Sequence, residues 1–169
     1  MEHQSDSLLA PLRKAGLGLF PGPRPGRKSL NALAGLGITH CCTLLGAHED
    51  VQPVNRICQK IGCRWVWCPI GGGRLDILRQ VDLAGHLQTL AQAIADEPQP
   101  RIYFHCSAGI HRTGFFVYAI LRLRGLDREA AFGQLSQLRA VTADQVGQDR
   151  LDLADELVSG LMRVACGRA

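Results

Sequence analysis

The sequence predicts an α/β domain with a central, mostly parallel β-sheet flanked by helices. Short apolar segments alternate with segments of helical periodicity, glycine and proline separate them, and the chain ends in helices alone. The 169 residues are 46% hydrophobic and 20% charged, which is typical of an ordinary globular domain and excludes a disordered chain. We expect residues 1–15 to form a flexible N-terminal arm and residues 16–165 to form a single domain.

Four short segments rich in apolar residues predict the strands of this sheet. They are GLGLFPG from residue 16, ITHCCTLL from residue 38, RWVWCPI from residue 64 and RIYFHC from residue 101. Trp65 and Trp67 are two residues apart, so they lie on one face of their strand, whereas the adjacent Cys41 and Cys42 face opposite sides.

Helical periodicity predicts the flanking elements. The predicted helices cover residues 28–36, 50–61, 77–95 and 112–123, followed by one that begins near Asp127 and one that begins near Thr142. In the third, leucine and isoleucine recur at spacings of four, three and four residues. Gly37, Gly62 and Gly125 end the helices that precede them. Asp127 is a predicted N-cap, and Thr142-x-x-Gln145 fits a capping box that opens the last helix.

The charge balance indicates which partners to expect. Nineteen lysines and arginines against 15 acids give a formal charge of +4, with a pI near 8.8. This balance suits anionic ligands but is far below that of a dedicated nucleic-acid binder, so we expect no nucleic-acid partner. The most apolar run, residues 115–121, is too short to span a bilayer, so we expect no membrane association.

Cysteine usage indicates the redox environment. Seven cysteines cannot pair completely, and a domain of this size needs no disulfide framework, so we expect a reduced, cytoplasmic protein. The first 14 residues lack the pattern of a secretory signal. The cysteine spacings contain no C-x-x-C, so no zinc site or other metal site is expected.

The segment HCSAGIHRTG, from His105 to Gly114, carries the chemistry. A predicted strand runs into it and a predicted helix leaves it, so backbone N–H groups of residues 107–112 can turn inward around an anion. The helix N-terminus and Arg112 would lower the pKa of Cys106, and the planar Arg112 guanidinium can bind two phosphate oxygens. A thiolate beneath a bound phosphate is placed to attack phosphorus, so the segment predicts covalent phosphoryl transfer.

This segment resembles the C-x5-R-[S/T] signature of protein tyrosine phosphatases, including their dual-specificity branch. It differs from the commonest loop, HCSAGIGRTG, only at His111. Over residues 16–160, the segments GLGLFPG, LGITH, PIGGGRLDI and RGLDREAAFGQL are similar to kinase-associated and other small atypical dual-specificity phosphatases. The resemblance implies the cysteine-phosphatase fold and catalysis without a cofactor, and we predict a single phosphatase domain over residues 16–165. We also expect a monomer.

The resemblance also implies roles for individual residues. Cys106 would attack phosphorus, Thr113 would help its thiolate leave again, and His105 would support the loop. Phosphate would be bound by the segment that follows the nucleophile, namely Ser107, Ala108, Gly109, Ile110, His111 and Arg112. His111 could favour highly charged substrates or simply face solvent.

The general acid has more than one candidate, because glycines replace the family's Ala-Asp-Gly-Gly after Pro-Ile. Asp76, 30 residues before Cys106, is the nearest carboxylate, but it also stands where the next helix needs an N-cap. Asp82 ranks second and is expected inside that helix. Gln145 and Gln148 could position water, although the capping box explains Gln145 without a catalytic role and is the preferred explanation.

The expected substrate is phosphotyrosine in protein, with phosphoserine and phosphothreonine as a wider range. Two other classes remain open: a phosphatase for non-protein phosphates, such as inositol polyphosphates, phospholipids or RNA 5′ ends, and a weakly catalytic phosphate-binding module. Cys41, Cys42 and Cys68 are candidate resolving thiols if Cys106 is oxidised.

Overall fold

The computed structural model describes residues 4–165 of the chain, and the side chains of residues 7–163. Within these residues, no helix is long and apolar enough to cross a bilayer. The strands are β1 (Gly18–Gly22), β2 (His40–Thr43), β3 (Arg64–Trp67) and β4 (Arg101–His105). The helices are α1 (Gln4–Leu9), α2 (Leu30–Gly35), α3 (Gln52–Ile61), α4 (Leu75–Leu78), α5 (Leu83–Ile94), α6 (His111–Leu123), α7 (Arg128–Leu138), α8 (Ala140–Gln145) and α9 (Gln148–Ala165).

The four strands form one parallel sheet in the order β1-β4-β2-β3. This confirms the predicted fold class. Strand β4 lies between β1 and β2, with Phe104 opposite Cys42 and His105 opposite Thr43. Because all strands run the same way, the residues that follow β2, β3 and β4 meet at the carboxyl edge, where ligands bind in open α/β sheets.

Hydrophobic residues cover both faces of the sheet. The larger cluster contains Phe104, Cys42 and nearly all of α6, whose segment from Phe115 to Leu121 is buried. The smaller cluster contains Tyr103 and Cys41, with α2 and α3 packed over it. The two adjacent cysteines therefore face opposite sides of β2, as predicted from strand alternation.

The expected flexible arm over residues 1–15 needs correction. Residues 4–13 form α1 followed by a 3-10 turn (Ala10–Arg13). Leu9 is 7% exposed and Leu12 is fully buried in the larger cluster, where this segment packs against α5. Leu9 and Leu12 therefore belong to the hydrophobic core and not to a flexible arm. Residues 1–3 lie outside the described part of the chain.

Two predicted helix starts are also wrong. The single helix predicted over residues 77–95 is divided into α4 and α5, and Asp82 caps α5 by accepting a 2.9 Å hydrogen bond from the Gly85 N–H. Thr142 lies within α8 instead of opening the last helix. Gly147, with φ of +89°, separates α8 from α9 because that backbone conformation is strained for other residues. Asp127 caps α7 as predicted.

Candidate active site

The loop over residues 106–112 lies at the carboxyl edge of the sheet, between β4 and α6. Its conformation requires Gly109, which has φ of +70°; a Cβ there would lie 2.1 Å from the Gly22 carbonyl oxygen. The Arg24 N–H donates a 2.9 Å hydrogen bond to the Ser107 carbonyl. Strand β1 and the residues after it therefore support one side of this loop, which we call the 106–112 loop.

Cys106 directly follows β4, and its side chain is buried. The Thr113 hydroxyl donates a 3.2 Å hydrogen bond to its Sγ. Burial raises the pKa of this thiol. The Thr113 hydroxyl, the N–H groups of Thr113 and Ile110 and the charge of Arg112 lower it, and the net pKa is below the ordinary value. The loop therefore favours a thiolate at Cys106.

Two of the other buried thiols, Cys42 and Cys58, differ from Cys106 in the direction of their pKa shift. Burial holds the pKa of Cys42 well above its ordinary value, and a hydrogen bond with Cys41 raises the pKa of Cys58 to about 12. All six cysteines among residues 4–165 are free and buried. Cys42 and Cys68 share the larger cluster with Cys106, whereas Cys41 lies on the opposite face of the sheet. This arrangement distinguishes Cys106 as the thiol suited to nucleophilic chemistry.

Arg112 is only 8% exposed, and its guanidinium is held by both charged and neutral partners. Its NH1 donates to the carbonyls of Leu44 at 3.3 Å and Ile70 at 2.9 Å. Glu49 accepts from the guanidinium at both carboxylate oxygens, at 2.5 Å from NH1 and 3.1 Å from NH2. The segments after β2 and β3 therefore fix the guanidinium beside the 106–112 loop.

Glu49 is a site residue that the sequence analysis missed. It also accepts a 2.7 Å hydrogen bond from the Gly46 N–H and a 3.2 Å hydrogen bond from the Ser107 hydroxyl. The Arg112 hydrogen bond outweighs burial and lowers the pKa of Glu49 to about 2, so the carboxylate stays ionised. One sequence signal could have indicated it, because Glu49 follows a predicted buried strand at the edge where the motif also lies.

His105 is fully buried in a chain of hydrogen bonds beneath the loop. The Trp65 indole N–H donates to the Thr43 hydroxyl at 2.8 Å, and that hydroxyl lies 2.8 Å from His105 Nε2. His105 Nδ1 lies 3.0 Å from the Cys106 carbonyl. Burial lowers the pKa of His105 to about 4, so we assign a neutral ring that donates from Nδ1 to that carbonyl. His105 thus orients the backbone of Cys106.

The opposite side of the 106–112 loop rests on the α7–α8 junction. Arg139 and Thr142 each donate a 2.7 Å hydrogen bond to the Gly109 carbonyl. At the crest of the loop, the exposed His111 has Gly73 and Arg150 as neighbours. Burial first, then the charges of Arg150 and Arg112, lower the pKa of His111. These contacts surround the loop with positive charge and backbone support.

Asp76 lies apart from this network. It belongs to α4 and is exposed, and its carboxylate accepts hydrogen bonds of 3.0 and 3.1 Å from Arg74. The Arg74 guanidinium lowers the pKa of Asp76. The glycines before Asp76 border the 106–112 loop. Gly73 lies against His111, and the Gly73 carbonyl accepts a 2.6 Å hydrogen bond from Arg150. The segment is therefore adjacent to the site while its carboxylate points to Arg74.

The remaining candidates lie outside the network. Asp82 caps α5, the Gln148 amide donates to Asp152 at 3.0 Å, and Gln145 is exposed, with its backbone carbonyl near His111. Within residues 4–165, no group of three or more histidine, cysteine or acidic side chains is arranged to hold a metal ion.

Comparisons with known proteins agree with this geometry. The chain matches the sequence profile of a family described as "Tyrosine phosphatase family" over residues 25–134. No curated protein sequence matches it significantly. A crystal structure of PTPMT1 superposes with a TM-score of 0.64 at 17% identity, over 88% of this chain and 94% of the other.

Two further structures have the same fold. TpbA from P. aeruginosa has a TM-score of 0.59 at 21% identity, covering 88% of this chain and 84% of its own. The core catalytic domain of the PP-IP phosphatase SIW14 from S. cerevisiae has a TM-score of 0.57 at 19% identity, covering 90% of each chain. At these identities the structures show the fold, whereas the profile match over most of the length shows the family: this chain belongs to the tyrosine phosphatase family and is a cysteine-based phosphatase.

Proposed function

We propose that the chain hydrolyses phosphotyrosine monoesters in protein, with phosphoserine and phosphothreonine as further substrates, through a phosphocysteine intermediate. The observation that carries this proposal is the buried Cys106 thiol, which accepts a hydrogen bond from Thr113 beside the fixed Arg112 guanidinium. A pKa below the ordinary thiol value supports attack by the thiolate at neutral pH.

In the first step, Cys106 Sγ forms a bond to phosphorus as the bond to the leaving oxygen breaks. Arg112 and the loop N–H groups, from Ser107, Ala108, Gly109, Ile110 and His111, stabilise the charge on the other phosphate oxygens. Asp76 donates its proton to the leaving oxygen. This role requires Asp76 to leave Arg74 and be protonated, and a bound phosphate dianion assists by attracting Arg74.

In the second step, Asp76 takes a proton from water as the water oxygen attacks phosphorus. The phosphorus–sulfur bond breaks, inorganic phosphate leaves, and the Thr113 hydroxyl stabilises the departing Cys106 thiolate through the hydrogen bond it already makes. His105 acts through the backbone, as a positioning residue that keeps the Cys106 carbonyl oriented. No proton transfer is assigned to it, because its buried ring stays neutral over the working pH range.

A second candidate substrate class is a compact polyphosphate. Arg150 and His111 add cationic and titratable groups beside Arg112 at the crest of the loop. Among the proteins of the same fold, SIW14 is a PP-IP phosphatase, PTPMT1 has been crystallised with PI(5)P and TpbA with pTyr. The positive charge of Arg150 beside Arg112 favours highly charged substrates as well as a single phosphotyrosine.

One experiment tests the proposal. Hydrolysis of p-nitrophenyl phosphate and of a phosphotyrosine peptide is measured with and without vanadate, for the native chain and for Cys106→Ser. We expect vanadate-sensitive hydrolysis of both, and a loss of at least about 10³-fold in Cys106→Ser because serine is not ionised at neutral pH. Cys68→Ser is the matched control, since Cys68 is a buried thiol of the same core.

Other outcomes would assign other functions. Tight phosphopeptide binding with hydrolysis no faster than in Cys106→Ser would indicate a binding module. The exposed, ion-paired state of Asp76 is the observation that favours that alternative. Hydrolysis of a diphosphoinositol or of a phosphoinositide at far higher kcat/KM than of phosphotyrosine peptides would assign a non-protein substrate.

A further inference from the structure

A groove lies near the active site and is lined by none of the active-site residues. Its volume is about 350 Å³, and it runs between α3 and the chain that follows β1. The walls carry two kinds of side chain, apolar and cationic. The apolar lining includes Pro25, Leu30, Pro53 and Ile57, and the cations are Arg27, Arg56 and Lys60.

Both walls of the groove are connected along the chain to residues near the 106–112 loop. One wall begins at Arg24, whose N–H donates to the Ser107 carbonyl, and passes directly into Pro25. The other wall begins at Asp50, whose carbonyl accepts a hydrogen bond from the Arg24 guanidinium, and passes into α3. Both walls therefore begin beside the 106–112 loop, where the Arg24 guanidinium joins them.

The three cations in the groove lack protein partners. Among residues 4–165, no hydrogen bond, ion pair or ring contact involves the side chain of Arg27, Arg56 or Lys60. Helix α3 contains no acidic residue, and Arg56 and Lys60 stand four residues apart on it. Like charges at this spacing destabilise a helix, so their presence at a groove points to an anionic ligand.

The dimensions and the lining fit a peptide. Pro53 and Lys60 are seven positions apart on α3, or about 10 Å at a rise of 1.5 Å per residue. About three residues of an extended chain cover that length. A compact polyphosphate has no apolar surface to place against Leu30, Pro53 and Ile57, whereas a peptide with acidic and apolar side chains uses both the apolar lining and the cations.

We propose that this groove is a docking site for the acidic segment that flanks the phosphorylated residue of a protein substrate. The proposal rests on the proposed phosphatase activity and adds to it a preference for sequence context. The groove binds two or three glutamate or aspartate side chains through Arg27, Arg56 and Lys60, and it binds the apolar part of the segment along α3. Because the cations are exposed, the preference weakens as ionic strength rises.

The kinetic test compares three substrates: p-nitrophenyl phosphate, a phosphotyrosine peptide flanked by glutamate and leucine residues, and the same peptide flanked by lysine and leucine. The variants are Arg56→Glu and, as matched control, Arg163→Glu, which makes the same charge change on an exposed arginine of α9. We expect Arg56→Glu to lower kcat/KM on the acidic peptide about fivefold through KM, with p-nitrophenyl phosphate changed by less than about twofold. Lys60→Glu should behave as Arg56→Glu does.

A binding measurement separates the groove from the reaction. Fluorescence anisotropy of the acidic peptide without phosphate reports docking even if the chain hydrolyses no phosphotyrosine. We expect binding by the native chain and by Arg163→Glu, and binding weakened about fivefold or more in Arg56→Glu. Equal losses in Arg56→Glu and Arg163→Glu, or no preference for the acidic peptide, would overturn the docking site. Binding of inositol hexakisphosphate to the native chain and to Arg56→Glu is measured as well. If this polyphosphate binds through Arg56 and the acidic peptide does not bind, the proposed docking site is also overturned.

Discussion

The two sides of the active site differ in how firmly they are held. The 106–112 loop is supported from β1 by Arg24, from β2 through Glu49 and from α8 by Thr142. The segment that carries Asp76 borders the loop through Gly73, but its carboxylate is exposed and paired with Arg74. The groups for phosphate binding and nucleophilic attack are therefore preorganised, whereas proton delivery requires a conformational change.

The largest effect should come from the preorganised side. In Arg112→Lys the positive charge remains, but the planar fork is lost, so the variant cannot donate to Ile70 and Leu44 while also binding a phosphate oxygen. We expect kcat on p-nitrophenyl phosphate to fall about 10³-fold. Steady-state kinetics and a thermal melt measure this, and Tm should change little because the ion pair with Glu49 can persist.

Arg139→Lys provides the matched control. Arg139 donates to the carbonyls of the same loop, and a lysine ammonium can do so as well. Its activity should stay within about threefold of the native chain. If Arg112→Lys kept more than a tenth of the native activity, the fixed orientation of the Arg112 guanidinium would not be needed for catalysis, contrary to the proposed preorganised side.

The next effect tests the mobile side and depends on the leaving group. In Asp76→Asn no proton can be delivered, so kcat should fall about 10²-fold on an alkyl phosphate. On p-nitrophenyl phosphate, whose leaving group needs no proton, the loss should stay within about threefold. Stopped assays of phosphate release on both substrates provide the measurement.

Asp82→Asn is the control for this prediction. Asp82 is the other carboxylate of the region and caps α5, a role that asparagine fills equally well. It should show native rates on both substrates. Equal losses of Asp76→Asn on both leaving groups would mean that Asp76 serves only the local structure around Arg74.

The sequence predicted the firmly held side better than the mobile one, and the reason is physical. Cys106, Arg112 and Thr113 are neighbours on a strand–loop–helix unit, so a local pattern already determines that they converge. Glu49 and Thr43 come from β2 and the segment after it, and their contacts follow only once β2 is known to pair with β4. Local patterning carries no information about that strand order.

The errors have the same origin. The break between α4 and α5 has no glycine or proline to mark it, so one continuous helix was predicted and Asp82, the actual cap, was assigned to its interior. Thr142 fits a capping box in sequence, yet its hydroxyl donates instead to Gly109, a tertiary contact. Leu12 was assigned to a flexible arm because its burial depends on α5, more than 70 residues later.

The smallest effect concerns the link between Glu49 and Arg112. In Glu49→Gln one oxygen acceptor becomes an amide donor facing the guanidinium, so Arg112 loses part of its orientation. We expect kcat/KM to fall about tenfold, as for the loss of a hydrogen bond between charged groups. Because the pKa of Glu49 is about 2, the native carboxylate is ionised throughout the assay range, and the ratio between variant and native rates should be constant from pH 5 to 8.

The same substitution has a signature in stability. The folded-state pKa of Glu49 is about 2 against an ordinary value of 4.5, so the ion pair stabilises the fold above pH 4.5 and loses that contribution as the pH falls towards 2. The Tm of Glu49→Gln should therefore change less than the native Tm as the pH falls from 4.5 towards 2. Asp50→Asn, a change at the adjacent exposed carboxylate, should keep the native dependence, because no pairing with Arg112 is removed. If both variants gave the same pH profile and the same kcat/KM, Glu49 would not hold Arg112 in place, and the fixed side of the site would depend on the carbonyls of Leu44 and Ile70 instead.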